Sequence, residues 1–194
     1  MNTPFQANIS NEELAALPLA QFPGRITVVD REEMLAEACA ELMGRRAIGF
    51  DTETRPSFTS GISNKVALLQ LSTPDHCFLF RLCKLRLDKA LIRVLESPDV
   101  LKIGAAVRDD IKGMQKLRHY RPAGFIDLQS IVENYGIAEK SVRKMAAVTL
   151  GIRISKAQRL SNWEASTLTP AQQLYAATDA WVSLEIYRKL LSFK

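Results

Sequence analysis

The side chains best suited to chemistry in this sequence are a few carboxylates and one tyrosine. Asp51 and Glu53 lie two residues apart at the end of an apparent strand, residues 47–54 (AIGFDTET). Because side chains alternate along a strand, both carboxylates point to the same side of the sheet. Their mutual repulsion favours a hard divalent cation with oxygen ligands between them. A DxE pair alone is also typical of solvated carboxylates at exposed strand ends.

Tyr175 and Asp179 form a second candidate pair, in the segment YAATD. A spacing of four residues places both side chains on one helix face, about a turn apart, where they can serve one site. The alternative is that Tyr175 packs into the core with its hydroxyl bonded, and that Asp179 is an ordinary polar helix residue.

A further carboxylate lies where the predicted strand LKIG enters a helix, in the segment IGAAVRDDIKGM. The Asp109-Asp110 doublet leaves two choices, and the spacing from Gly104 and the apolar Ile111 and Met114 favours Asp110. An acid at this position also suits the positive end of a helix, which is the structural alternative.

Hydrophobic periodicity predicts an α/β fold with a mixed sheet that positions these residues. Three strands in an antiparallel meander precede an alternation of strands and helices. The predicted strands are 47–54, 66–72, 77–82, 100–104 and 124–126, and the predicted helices are 31–44, 88–96, 108–117, a helix capped by Asp127, 141–151 and 169–191. We expect an N-terminal extension over residues 1–25 and one globular domain over 26–194.

The composition is ordinary for a soluble α/β protein, with 47% hydrophobic and 24% charged residues among 194. No apolar run approaches the roughly 20 residues that cross a bilayer, and the N-terminus lacks the features of a secretory signal, so we expect a cytoplasmic protein. The few cysteines and histidines do not form a zinc framework, and we expect reduced, partly buried thiols. They are Cys39, Cys77, Cys83, His76 and His119.

The net charge of +5 is modest, but residues 139–161 carry a local basic bias. Their basic residues are Lys140, Arg143, Lys144, Arg153, Lys156 and Arg159. Such a cluster favours a polyanion such as a nucleic-acid backbone, and a solvated helix face without a partner is the alternative.

Taken together, FDTET, IGAAVRDDIKGM and YAATD resemble, in chain order, the three motifs of the proofreading-type exonucleases defined by four acidic residues and a tyrosine (the DEDDy type). The similarity is greatest to the branch that contains ribonuclease D and the exonuclease domain of the Werner syndrome helicase. It extends over roughly residues 26–192 and includes VALLQLST and SNWEASTLTPAQQLYAATDAW. The resemblance implies a ribonuclease-H-like mixed sheet flanked by helices.

The resemblance also implies a metal-dependent 3′-5′ exonuclease that releases nucleoside 5′-monophosphates from DNA or RNA 3′ ends. It implies two Mg²⁺ or Mn²⁺ ions, with Asp51 bridging both, Glu53 and Asp179 on the first, and Asp110 on the second through water. Tyr175 and Glu53 would orient the attacking water. A ribonuclease D-like enzyme that processes RNA 3′ ends is one alternative. A catalytically silent nucleic-acid-binding module is another, although its expected signature, loss of an acid, is missing here.

Several polar residues are candidates for substrate contacts, and each is also typical of an ordinary surface. They are Thr52, Arg55, Lys65, Gln70, Lys156 and Arg159. Trp163, just before the last helix, is expected to anchor its loop in the core rather than to stack on a base.

Overall fold

The computed structural model describes residues 4–59 and 64–193, and a mixed six-stranded sheet forms its centre. The strands are β1 Arg25–Val29, β2 Ala47–Thr54, β3 Val66–Ser72, β4 His76–Phe80, β5 Leu101–Gly104 and β6 Phe125–Asp127. Their order in the sheet is β1-β4-β3-β2-β5-β6. Strands β2, β3 and β4 form the predicted antiparallel meander, and β5 and β6 continue the sheet in parallel with β2.

Seven α-helices and two short 3₁₀ segments connect and cover the strands in the described ranges. The helices are α1 Asn11–Ala16, α2 Leu35–Met43, α3 Lys89–Glu96, α4 Val107–Gln115, α5 Leu128–Ile131, α6 Val142–Leu150 and α7 Pro170–Leu191. The N-cap of α7 is Thr169, whose hydroxyl accepts from the Gln172 backbone N–H, and Pro170 takes the first helical position as predicted. Within the described residues, no helix combines the length and apolar character that a bilayer-spanning helix requires.

The two faces of the sheet are covered by different helices. On one face Ile48 and Phe50 pack in a cluster with residues of α2, α3 and α4. On the other face α6 and α7 form two further clusters with the sheet. Since side chains alternate along β2, its even-numbered residues face α4 and its odd-numbered residues face α7.

Gly49 allows α7 to lie directly on β2. A Cβ atom built on Gly49 would be 1.9 Å from the carbonyl oxygen of Ala180 and 3.4 Å from Cβ of Leu184. Any side chain at position 49 would therefore push α7 off the sheet. This close approach brings the residue before Ala180 next to the residues that follow Gly49 on β2.

Strand β1 was not predicted, because its five residues precede the first strong periodic segment. It lies at the sheet edge and pairs in parallel with β4. The preceding residues pack on the domain. Ile9 and Leu14 form a small cluster with Ala147 of α6, and the Ile9 N–H donates to Oε1 of Glu139 at 3.1 Å.

The cysteines are free thiols, as predicted. Cys39 and Cys77 are buried packing residues, whereas Cys83 is exposed. His76 is buried and bonds through Nδ1 to Oε1 of Glu41 at 2.9 Å.

Candidate active site

Three carboxylates converge at the end of β2. Asp51 and Glu53 extend from the odd-numbered side of β2, and Asp179 extends toward them from α7. One oxygen of each carboxylate lies within 4.8 Å of the others, and all three residues are half-buried. The strand alternation and the contact between Gly49 and Ala180 together produce this cluster, which we call the acidic cluster.

Burial and mutual repulsion disfavour the charged forms of these carboxylates. Desolvation, followed by the charges of Asp179 and Asp110, raises the pKa of Asp51 well above its usual range. Desolvation also raises the pKa of Glu53 to about 10 and that of Asp179 to about 7. The cluster therefore cannot hold its full negative charge near neutral pH without a compensating cation.

Asp110 borders the acidic cluster from the opposite side of β2. The Thr52 hydroxyl points to the α4 face and donates a 2.5 Å hydrogen bond to Oδ1 of Asp110. Desolvation raises the pKa of Asp110 to about 6, although this hydrogen bond opposes the shift. The charge of Asp110 in turn raises the pKa of both Asp51 and Glu53.

Asp109 has a different environment from Asp110. Its side chain is 88% exposed and forms an ion pair with Lys112 at 3.4 Å. The two acids of the doublet therefore point in different directions, and Asp110 is the one beside the acidic cluster.

A strained residue fixes the start of α4. Ala106 has φ 55° and ψ 33°, in the left-handed region that non-glycine residues seldom adopt. Its N–H donates to Oδ1 of Asp127 at 3.0 Å, and the same oxygen accepts from the Gln129 N–H at 2.9 Å. Asp127 thus caps α5, as predicted, and also holds the turn that leads to Asp110.

Tyr175 lies one turn before Asp179 on α7. The neighbouring Tyr175 hydroxyl lowers the pKa of Asp179, partly offsetting desolvation. Burial and the charges of Asp179 and Glu53 raise the pKa of Tyr175, so the phenol stays protonated at neutral pH. The Tyr175 ring centroid is 6.0 Å from that of Trp163, which is fully buried as predicted.

A cleft of about 500 Å³ adjoins Asp110 between the end of β2 and α4. Thr52, Asp110 and the exposed Lys65 all line it. Two further lysines line the same cleft, Lys112 and Lys116. They were not singled out from the sequence, although their spacing of four residues on the helix of Asp110 places them on one face.

The other basic candidates lie elsewhere around the site. Arg55 is exposed and its guanidinium pairs with Glu164 at 3.2 Å. Lys156 and Arg159 are exposed in the segment before α7, and residues between them line a cavity of about 210 Å³ together with Tyr175.

Part of the basic bias of residues 139–161 is neutralised within the fold. Lys140 pairs with Glu133, and Lys144 pairs with Glu139 at 3.0 Å. The charge available to a polyanion is therefore smaller than the sequence suggests.

The structure contradicts the predicted substrate contact of Gln70. This residue was a candidate for contact with substrate, but its side chain is wholly buried in β3, with no exposed surface. The whole of β3 is buried because α7 covers one of its faces and the cluster of α2, α3 and α4 covers the other. The prediction of direct substrate contact is wrong for this residue.

The chain is similar to several known proteins. Residues 26–192 match a family model described as 3′-5′ exonuclease. The chain is 37% identical to the exonuclease 3′-5′ domain-containing protein 2 of Drosophila melanogaster over 150 residues, which cover 75% of this chain and 25% of that protein. It is 27% identical to ribonuclease D of Haemophilus influenzae, covering 97% of this chain and 47% of the relative. The chain thus spans less than half the length of these two relatives.

Solved structures show the same fold. The Nibbler EXO domain of Aedes aegypti superposes with a TM-score of 0.75 at 26% identity, covering 88% of this chain and 90% of that one. RNase D of Escherichia coli, described as an exoribonuclease involved in structured RNA processing, superposes with a TM-score of 0.78 at 25% identity, covering 87% and 44%. The sheet is therefore of the ribonuclease-H-like type. With the family match over 167 of its residues, the chain belongs to the 3′-5′ exonuclease family.

Proposed function

We propose that this chain hydrolyses the terminal phosphodiester bond at the 3′ end of a nucleic-acid strand and releases a nucleoside 5′-monophosphate. The observation that carries the proposal is the acidic cluster, in which oxygens of Asp51, Glu53 and Asp179 lie within 4.8 Å of one another. Asp110 lies at its border, hydrogen-bonded to Thr52. Oxygen-rich sites of this kind suit Mg²⁺ or Mn²⁺.

The four acids fit two divalent cations. Asp51, Glu53 and Asp179 would hold one cation, and Asp51 with Asp110 would hold the second. When bound, such cations lower the pKa of water and stabilise negative charge on a leaving oxygen. The raised pKa values of these carboxyls mean that their charged forms are disfavoured unless a positive charge is nearby.

Tyr175 orients the attacking water in this proposal, together with Glu53. Its hydroxyl lies next to Asp179 and stays protonated, so it donates or accepts a hydrogen bond without adding negative charge. Tyr175 thus positions the water and does not remove its proton.

Tyr175→Phe is expected to lower kcat by about 10- to 100-fold, because a positioning hydrogen bond contributes about 1.4 to 3 kcal/mol. The metal concentration that gives half-maximal activity should change less than twofold. Tyr187→Phe, on the same helix, is the control and should retain full activity. A wild-type rate for Tyr175→Phe would exclude a catalytic part for its hydroxyl.

Asp110→Asn is expected to reduce kcat by about 100-fold, because it removes a charged carboxylate that holds the second cation through water. Asp109→Asn removes the same charge one residue away, at an exposed site, and should stay within twofold of wild type. Initial rates of mononucleotide release measure both variants. A large loss of activity in Asp109→Asn, together with an active Asp110→Asn, would assign the second cation to Asp109 instead of Asp110.

The cleft beside α4 is proposed to receive the phosphates of the strand that leads to the 3′ end. Asp110 and Thr52 line this cleft, and the lysines that also line it supply positive charge that attracts phosphates. Lys65 and Lys116 are both exposed. Arg55, Lys156 and Arg159 are proposed as further contacts around the mouth of the site.

Lys112→Ala with Lys116→Ala is expected to make the salt dependence of single-strand binding less steep. Loss of two phosphate contacts should change the slope of log K against log salt by about 1.4. Binding is measured by fluorescence anisotropy in chelator, so that no substrate is cut. The control, Lys89→Ala with Arg93→Ala, removes an equally spaced exposed pair on α3. An unchanged slope in the α4 variant would show that the nucleic-acid strand does not run along this cleft.

The function itself is tested with matched 5′-labelled DNA and RNA, single-stranded or with recessed 3′ ends, in Mg²⁺ and in Mn²⁺. A descending ladder of products is expected for at least one polymer, and its rate in DNA and RNA identifies the preferred substrate. Internal cleavage, or no cleavage of any substrate, would contradict the proposal.

A further inference from the structure

Gln70 carries a buried amide whose hydrogen-bonding groups are unused. It lies in the middle of β3 with no exposed surface. Within residues 4–59 and 64–193, neither its Nε2 nor its Oε1 has a hydrogen-bond partner. A buried amide without partners lowers stability, because it has lost its bonds to water. An apolar residue of similar size would avoid this cost, so the amide calls for an explanation.

The position of Gln70 places it beside the acidic cluster. It lies directly opposite Asp51 in the antiparallel pairing of β2 and β3. Opposite residues in such a pair share one face of the sheet, with Cβ atoms about 5 Å apart. On its other side Gln70 pairs with Leu79 of β4, whose side chain has no polar group. Among its direct cross-strand neighbours, Asp51 is the one that can accept a hydrogen bond from the amide.

Nearby polar side chains on this face of the sheet have hydrogen-bond partners, unlike Gln70. Ser72, two residues along β3 on the same face, donates its hydroxyl to the Thr73 carbonyl at 2.8 Å. The Asp51 carboxylate accepts through Oδ1 from the Thr52 N–H at 2.9 Å. No hydrogen bond to its second oxygen is found in the described part of the chain. An unused donor and an available acceptor thus lie on adjacent strands.

We propose that Gln70 is a positioning residue for Asp51. Its amide donates a hydrogen bond to the Asp51 carboxylate, directly or through one buried water, when that carboxylate holds a divalent cation. This contact fixes the carboxylate's orientation, as hydrogen bonds to metal-ligating carboxylates do. The inference rests on the proposed function, since it assigns Asp51 to the metal.

Gln70→Met tests the inference, because methionine keeps an unbranched side chain of similar volume and removes the amide. Thermal melting is measured in chelator and in a Mn²⁺ titration without nucleic acid. The metal-free variant should melt at or above the wild-type temperature, since an unpartnered polar group is gone. The Mn²⁺ concentration for half-maximal stabilisation should rise about 10-fold or more.

Leu79→Met is the matched control, since it repacks the other neighbour of Gln70 without removing a polar group. Its Mn²⁺ midpoint should stay within twofold of wild type. An unchanged midpoint in Gln70→Met would overturn the positioning role and leave the exonuclease proposal intact. Absence of any Mn²⁺ effect in the wild type would instead overturn the proposed metal site, and this inference with it.

A second measurement uses the wild-type protein, in case Gln70→Met does not fold. In ¹⁵N-labelled protein, the side-chain NH₂ signals of Gln70 should shift when Mg²⁺ is added. Through-bond correlations from the side-chain NH₂ group to the Gln70 backbone assign these signals in the wild-type protein. Asp51→Asn should abolish the shift. Signals that do not move in a wild-type protein that binds Mg²⁺ would contradict the contact.

Discussion

Asp51→Asn is expected to reduce hydrolysis by about 1,000-fold or more. Asp51 is proposed to contact both cations, and the loss of several kcal/mol of metal-dependent charge stabilisation corresponds to a change of this size. Initial rates of mononucleotide release at saturating Mg²⁺ and Mn²⁺ measure the effect. Higher metal concentrations should not restore the rate, because a neutral amide oxygen is a poor substitute for a bridging carboxylate.

The same variant should be more stable than the wild type without metal. Asparagine cannot ionise, so at alkaline pH it removes a charge that burial and Asp179 disfavour, and repulsion within the acidic cluster falls. Relief of about 1 kcal/mol would raise the melting temperature by about 2–4 °C in a chain of this size. Asp99→Asn, at an exposed position between α3 and β5, makes the same charge change and should alter neither activity nor stability. Near wild-type activity in Asp51→Asn would refute its assignment as a metal ligand.

Local spacing predicted much of the acidic cluster, because each pair of residues shares one element. Alternation along β2 places Asp51 and Glu53 on one face, and a single helical turn joins Tyr175 to Asp179. That these two faces meet depends on Gly49, whose missing side chain admits the Ala180 carbonyl. Spacing within an element gives its face, but it does not identify the element that packs there.

The wrong prediction for Gln70 has the same origin. Its polar character suggested a surface near the cleft, but α7 crosses β3 at this point and removes it from solvent. The parallel pairing of β1 with β4 was also missed, since strands 47 or more residues apart along the chain leave no local pattern. Lys112 and Lys116 were overlooked because basic residues on an exposed helix face are common without a ligand.

Removal of divalent metal is expected to abolish hydrolysis and to leave a protein whose stability falls as the pH rises. Burial raises the pKa of Asp110 to about 6, of Asp179 to about 7 and of Glu53 to about 10, from ordinary values of 3.8, 3.8 and 4.5. Between the ordinary and the raised values, the folded chain binds more protons than the unfolded chain does. Metal-free stability is therefore lost progressively from about pH 4 upward, and the loss extends to about pH 10.

Cations should reverse this trend, because they bind the charged carboxylates. A ligand at 100 times its Kd contributes about 2.7 kcal/mol, or about 5–10 °C in melting temperature here. The difference in melting temperature between Mn²⁺-saturated and chelator-treated protein should therefore grow from pH 5 to pH 8. Asp51→Asn should show a much smaller difference throughout, whereas Asp99→Asn should follow the wild type. Hydrolysis that persists in chelator, or a metal effect that shrinks as the pH rises, would show that these carboxylates do not hold the cations.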